Sequence, residues 1–235
     1  MVADVGERSL VVHIGTHKTG TTSFQHALSS ATDLLEASGR LRVFRSKYTP
    51  VRGWAHEVPL LVVRPGLSIM LRRVFPDASL ESAQALIRQH VASQFSSAVN
   101  TILMSHEALS YLRTQQEFND FKSLIAESGR TPRFVVVLRE KGAFLRSYRA
   151  QLSKMGMPSR SQYRDSVSYT EPDSWLADTG SLIHGYHQAF GAASLTVLNY
   201  EVLLREDGSV VPGLWKACGL PTEALPDKVA WLNQS

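Results

Sequence analysis

The segment that most narrows the choice of fold lies near the start of the chain. Leu10-Val11-Val12-His13-Ile14 is a continuous apolar run of strand length, and it leads directly into Gly15-Thr16-His17-Lys18-Thr19-Gly20-Thr21-Thr22. Phe24, Leu28, Ala31 and Leu35 follow at spacings of four, three and four, the apolar face of a helix that Gly39 can close. A buried strand, a glycine-bearing loop and a helix in that order aim loop amides and a helix N-terminus at one spot, which suits an anion. The alternation then recurs. Leu80, Ala83, Ile87 and Val91 mark a helix before a strand at 101–105, and Phe118, Phe121, Leu124 and Ile125 mark another before the strand 134–138. Phe144, Leu145, Tyr148 and Leu152, then residues 175–190, read as further helices, with a last strand at 195–198 and a short helix at 214–218. Strands that are apolar throughout belong to parallel sheets covered on both faces. The expected fold class is therefore α/β, a three-layer α/β/α arrangement with a mainly parallel sheet. No internal repeat or long linker divides the chain, so it reads as one domain over residues 1–235, with 155–173 as a polar loop.

Composition removes whole classes of function. At 235 residues and 43% hydrophobic the chain buries a large core, and its one cysteine, Cys218, excludes an internal disulfide framework or a zinc site built on paired cysteines. The longest apolar runs are strand-sized, so no membrane span is expected. Asp4 and Glu7 stand where a signal peptide needs apolar residues, which points to a cytoplasmic protein. The net charge of +4 is unevenly spread. Residues 40–73 carry eight Lys/Arg against Glu57 alone, and residues 130–164 carry nine against Glu140 alone. Such segregation suits an anionic ligand. Aromatic residues are not interleaved with the basic ones, so nucleic acid is not the expected partner.

The glycines of the first loop are spaced as in the P-loop of nucleotide-binding proteins, but Thr21 follows Gly20 where a lysine is usual, and the lysine sits inside the loop at Lys18. Lys18-Thr19-Gly20-Thr21-Thr22 resembles the 5′-phosphosulfate loop of the sulfotransferases that use 3′-phosphoadenosine 5′-phosphosulfate (PAPS), with its Lys-x-Gly-Thr-Thr signature. The resemblance runs over residues 10–221 and is nearest the bacterial and carbohydrate-type members, whose fold is of P-loop type. It implies that His17, Lys18, Thr19, Gly20, Thr21, Thr22 and Ser23 surround the 5′-phosphate. Lys18 would meet charge appearing on the bridging oxygen as the sulfuryl group leaves. The family's 3′-phosphate pair, an arginine at a strand end and a serine eight residues on, matches Arg139 and Ser147. Ser23-Phe24 replaces the tryptophan with which cytosolic members stack the adenine, and their C-terminal glycine-rich loop has no counterpart here.

Sulfuryl transfer to a hydroxyl needs a base. The carbohydrate-type pattern Ser-x-Glu-x-Leu matches Ser105-His106-Glu107-Ala108-Leu109, which puts Glu107 in that role with His106 as its rival. His184 and His187 share a helical face but lack a cysteine or carboxylate beside them, so no metal is expected. The resemblance thus implies an enzyme with PAPS as co-substrate, 3′,5′-adenosine bisphosphate as product, and a hydroxyl or amine acceptor, anionic or glycan. An ATP-dependent kinase and a catalytically silent anion- or glycan-binding module are the alternatives. Against the kinase stand the displaced lysine and the lack of an aspartate at a strand end to hold magnesium.

Overall fold

In the computed structural model, residues 8–64, 80–157 and 162–226 are described. Arg72, Arg73, Arg160 and the two chain ends, which entered the charge and N-terminal readings, lie outside them. Five strands form one sheet in the order β2-β3-β1-β4-β5: β1 (Ser9–Gly15), β2 (Leu41–Val43), β3 (Thr101–Ser105), β4 (Thr131–Leu138) and β5 (Leu195–Asn199). Every pairing is parallel. Around it run α1 (Thr21–Glu36), α2 (Glu57–Val62), α3 (Leu80–Phe95), α4 (Gln115–Ala126), α5 (Lys141–Lys154), α6 (Thr179–Phe190), α7 (Tyr200–Asp207) and α8 (Val210–Ala217).

The continuous apolar strands are explained by two cores, one on each face. Leu10, Val12, Ile14, Ile102, Met104, Phe134 and Val136 face one way, against side chains of α3, α4, α5 and α6 such as Ile87, Phe121, Leu145 and Tyr186. Val11, Leu103, Val135 and Val137 face the other way, against Phe24 and Leu28 of α1 and Val211, Leu214 and Trp215 of α8. Alternate residues of each strand feed opposite cores, as a doubly covered sheet requires. The architecture is the three-layer α/β/α fold expected from the sequence.

Local chemistry fixes several boundaries. Thr114 and Glu117 form a reciprocal capping box at the start of α4. The 175–190 reading resolves into a 3₁₀ turn at Trp175–Ala177 and then α6, because Asp178 caps the new helix through Ser181 N–H. Sequence periodicity missed β2 and α2, both too short to show a repeat. At the opposite end of the sheet from the loop 16–20, Arg130 is 5% exposed and donates to the carbonyls of Phe95, Ser97, Val99 and Asn100. It ties the turns entering β3 and β4 together.

Candidate active site

Three neighbouring strands, β3, β1 and β4, end side by side, and each delivers one of the segments singled out in the sequence. β1 runs into the loop 16–20, β3 ends at Ser105-His106-Glu107, and β4 ends beside Arg139. Ligands of open parallel sheets gather at these carboxyl ends.

The loop is held from below. Thr16 donates through its hydroxyl to Val137 O at 2.8 Å, Thr19 to Thr16 O at 2.6 Å, and Thr21 to Thr16 O at 3.4 Å. These threonines brace the loop from within. Gly20 is the N-cap of α1 at φ 80° and no side chain caps the helix, so its first amides are left to an outside acceptor. Thr22, half-buried on the first turn, accompanies them, whereas Ser23 is buried.

Lys18 sits at φ 63°, a left-handed conformation rare for a residue with a side chain. Its ammonium pKa is lowered by burial and then by the charges of Lys154 and Arg139. Arg139 donates from Nη1 to Lys18 O at 3.1 Å and lies 4.7 Å over the Tyr200 ring. Its Nε is buried with no partner. Ser147 is buried on α5. The amides that open α5 are taken by Glu140, whose carboxylate accepts from Gly142 N and Ala143 N at 2.6 Å each. The donors left open in this region are therefore side chains and the first amides of α1.

Glu107 lies across from the loop. A Cβ placed on Gly15 would come within 3.1 Å of Glu107 Cγ, so the carboxylate stem packs over the point where β1 enters the loop. The carboxylate itself has no hydrogen bond or ion pair among the described residues. Burial raises its pKa to about 7. His106 is engaged at both ring nitrogens: Nδ1 accepts from Ala108 N at 3.0 Å, capping the 3₁₀ turn Glu107–Tyr111, and Nε2 meets His56 Nδ1 at 2.8 Å. With its one lone pair on an amide, His106 has no site free to take a proton. Its pKa is pushed well below the usual histidine value by burial, then by His56 and His17.

His17 packs against two tyrosines. It shares a short hydrogen bond with the Tyr111 hydroxyl, and its ring lies 5.0 Å from that of Tyr148. Burial, and then Lys18, lower its pKa to about 4. Tyr111 and Tyr148 are hydrogen-bonded to each other and both feel the charge of Glu107. Tyr148 had the spacing of a core residue, so helical periodicity gave no hint of this place. Lys154, Trp54 and His56 were likewise missed, the last two because they lie in a segment without a repeat. No group of three or more His, Cys, Asp or Glu among the described residues is placed to hold a metal, and no described helix is long and apolar enough to cross a membrane.

A loop between a strand and a helix at the switch point of a parallel sheet is where open α/β folds bind their ligands. Among solved structures, the chain is similar to a sulfotransferase from Alicyclobacillus acidocaldarius, with a TM-score of 0.54 and 15% identity over 96% of this chain and 87% of that one. That similarity shows the sulfotransferase fold. The chain also resembles the sulfotransferase domain of the Synechococcus PCC 7002 olefin synthase (TM-score 0.48, 13% identity, 96% of this chain and 78% of that one). A sulfotransferase domain from the curacin biosynthetic pathway gives 0.44 and 11%, over 93% and 77%. No family model and no curated protein sequence matches the chain.

Proposed function

We propose that this protein is a PAPS-dependent sulfotransferase that moves a sulfuryl group to a hydroxyl or amine of its acceptor, with carbohydrates the leading class. The observation that carries the reading is the pairing of Lys18, inside the loop and beside an uncapped helix, with a carboxylate across the loop that nothing neutralises. PAPS supplies the activated sulfuryl group. The uncapped amides of α1 and Thr22 fit its 5′-phosphate, and the unpartnered Nε of Arg139 supports a second anion site for the 3′-phosphate. Glu107 takes the acceptor's proton as the new O–S bond forms. Lys18 meets the charge left on the bridging phosphate oxygen as the old O–S bond breaks. His106 supports Glu107 by capping the turn that carries it.

The test is thermal stabilisation followed by turnover. 3′,5′-Adenosine bisphosphate should raise the melting temperature without metal, and ATP with magnesium should not. Radiolabelled PAPS should then pass its sulfur label to a hydroxylated acceptor. Stabilisation by ATP and magnesium alone would favour a kinase, and nucleotide binding without transfer across a broad acceptor panel would favour a silent binding module.

A further inference from the structure

The segment after β2 returns to the site. Phe44 N donates to Leu103 O at 2.9 Å and Gly53 N to Phe44 O at 2.7 Å. Gly53 O then accepts from Ser105 N at 2.7 Å, and Ala55 N donates to Ser105 O at 3.1 Å, so Trp54 forms a parallel bridge with Ser105. Buried Glu57 holds the returning loop by accepting from Lys47 N at 2.7 Å, with His90 Nε2 at 3.4 Å. Trp54 and His56 are thereby fixed beside the end of β3, one residue from the base. Their rings lie 4.6 Å apart at 34°.

The hydrogen bonds here have one direction. Ala108 N–H can only donate, so His106 Nδ1 must accept and His106 Nε2 must carry the proton. That Nε2–H points at His56 Nδ1, which must accept in turn. His56 is left with its proton on Nε2, an atom without a hydrogen-bond partner among the described residues, on a half-buried side chain. A backbone amide thus sets, through two imidazoles, a donor on the His56 ring. We propose that His56 is an acceptor-positioning residue, held against Trp54, whose Nε2–H binds an uncharged oxygen of the acceptor next to the reacting hydroxyl. The proposal rests on the transfer reading above.

Charge on this side favours a neutral partner. Burial lowers the His56 pKa to about 4, so the ring is an uncharged donor. Glu107, at the end of the neighbouring strand, repels an anion once ionised. Three arginines of the stretch 40–73 are paired with acids elsewhere: Arg45 with Glu36, Arg52 with Asp33 at 2.9 Å, and Arg64 with Glu117 at 3.0 Å. Cations gather on the nucleotide side, at Lys18, Arg139 and Lys154.

The experiment uses the full chain with ¹⁵N-labelled histidine, alone and saturated with 3′,5′-adenosine bisphosphate. Methyl glycosides of glucose, galactose and mannose are titrated against the matching uronates. In the free protein both His56 and His106 should appear as neutral Nε2–H tautomers. At least one glycoside should shift His56 Nε2, and its uronate should bind at least about fivefold more weakly. His56→Gln, which keeps an N–H donor, should retain glycoside affinity within about twofold, whereas His56→Ala should lose about five- to tenfold, with nucleotide affinity unchanged in both. An Nδ1–H tautomer at His56, no shift with any glycoside, or uronates binding as well as glycosides would each overturn the proposal. Failure of the wild-type chain to bind the nucleotide strikes the transfer reading instead, while the tautomer measurement still reads the relay.

Discussion

Lys18 combines a backbone conformation that side chains avoid with an ammonium that no acid among the described residues neutralises, an arrangement that costs stability unless an anion completes it. Lys18→Ala should lower kcat by roughly two orders of magnitude or more, with a smaller loss in 3′,5′-adenosine bisphosphate affinity, because the charge it meets develops in the transition state. Stopped turnover assays and calorimetry separate the two, and near-normal kcat would remove Lys18 from the chemistry. Glu107 sets a pH signature. With its pKa near 7, the active carboxylate accumulates as pH rises, so kcat/KM should climb below about pH 7 and level above it. Glu107→Gln should abolish that limb. The same shift acts on stability with the opposite sense. The folded carboxyl holds its proton more tightly than an unfolded one, so its contribution is complete below about pH 4.5 and is lost as pH rises through about 7. Glu107→Gln should therefore melt higher than wild type at pH 8, and a lower melting point there would refute the burial argument. The Lys-x-Gly-Thr-Thr run and the Ser-x-Glu-x-Leu run were legible in the sequence as residues of interest. That His106 has its lone pair occupied was not, since it depends on where Ala108 N–H and His56 lie.

At the scale of the element, the loop between β1 and α1 is shaped by what its glycines exclude. Gly20 needs both a positive φ and an absent side chain, since a Cβ there would collide with Val210 of α8. At Gly15 a Cβ would stand 2.5 Å from Thr21 Oγ1 and would press on Glu107. Gly20→Ala should thus lower soluble yield or melting temperature outright. Gly15→Ala should mainly damage turnover by displacing the base and the loop threonine together. A Gly20→Ala protein as stable as wild type would show that α8 yields freely. The cap on α4 gives a calibration away from the site: Thr114→Ala should cost about 1 kcal/mol in denaturant unfolding without changing kcat. The long, periodic helices and apolar strands were readable because both periods repeat several times within one element. β2 and the Trp54 bridge were not, because their pairing is with β3, far along the chain, as in Leu41 with Thr101 and Trp54 with Ser105.

Across the whole molecule, the two basic segments divide by partner rather than by position in sequence. Arg130 is spent on backbone carbonyls, Arg149 on Thr170, and Arg164 on Asp173 at 3.4 Å. Arg130→Met strips charge-assisted bonds from several buried carbonyls and should cost roughly 2–4 kcal/mol in unfolding free energy while leaving nucleotide affinity intact. Loss of affinity with no loss of stability would reverse that assignment. The sequence by itself determined the strand-loop-helix unit and the parallel doubly covered sheet, and it singled out the loop proposed to bind the anion, because these follow from local periodicity and from a short motif whose residues are neighbours in the chain. Tertiary structure alone decided which strands end beside that loop, which arginines keep a free charge, and which histidines can take a proton. Those properties depend on distances between segments far apart in sequence, and on burial, which no residue carries in its own side chain.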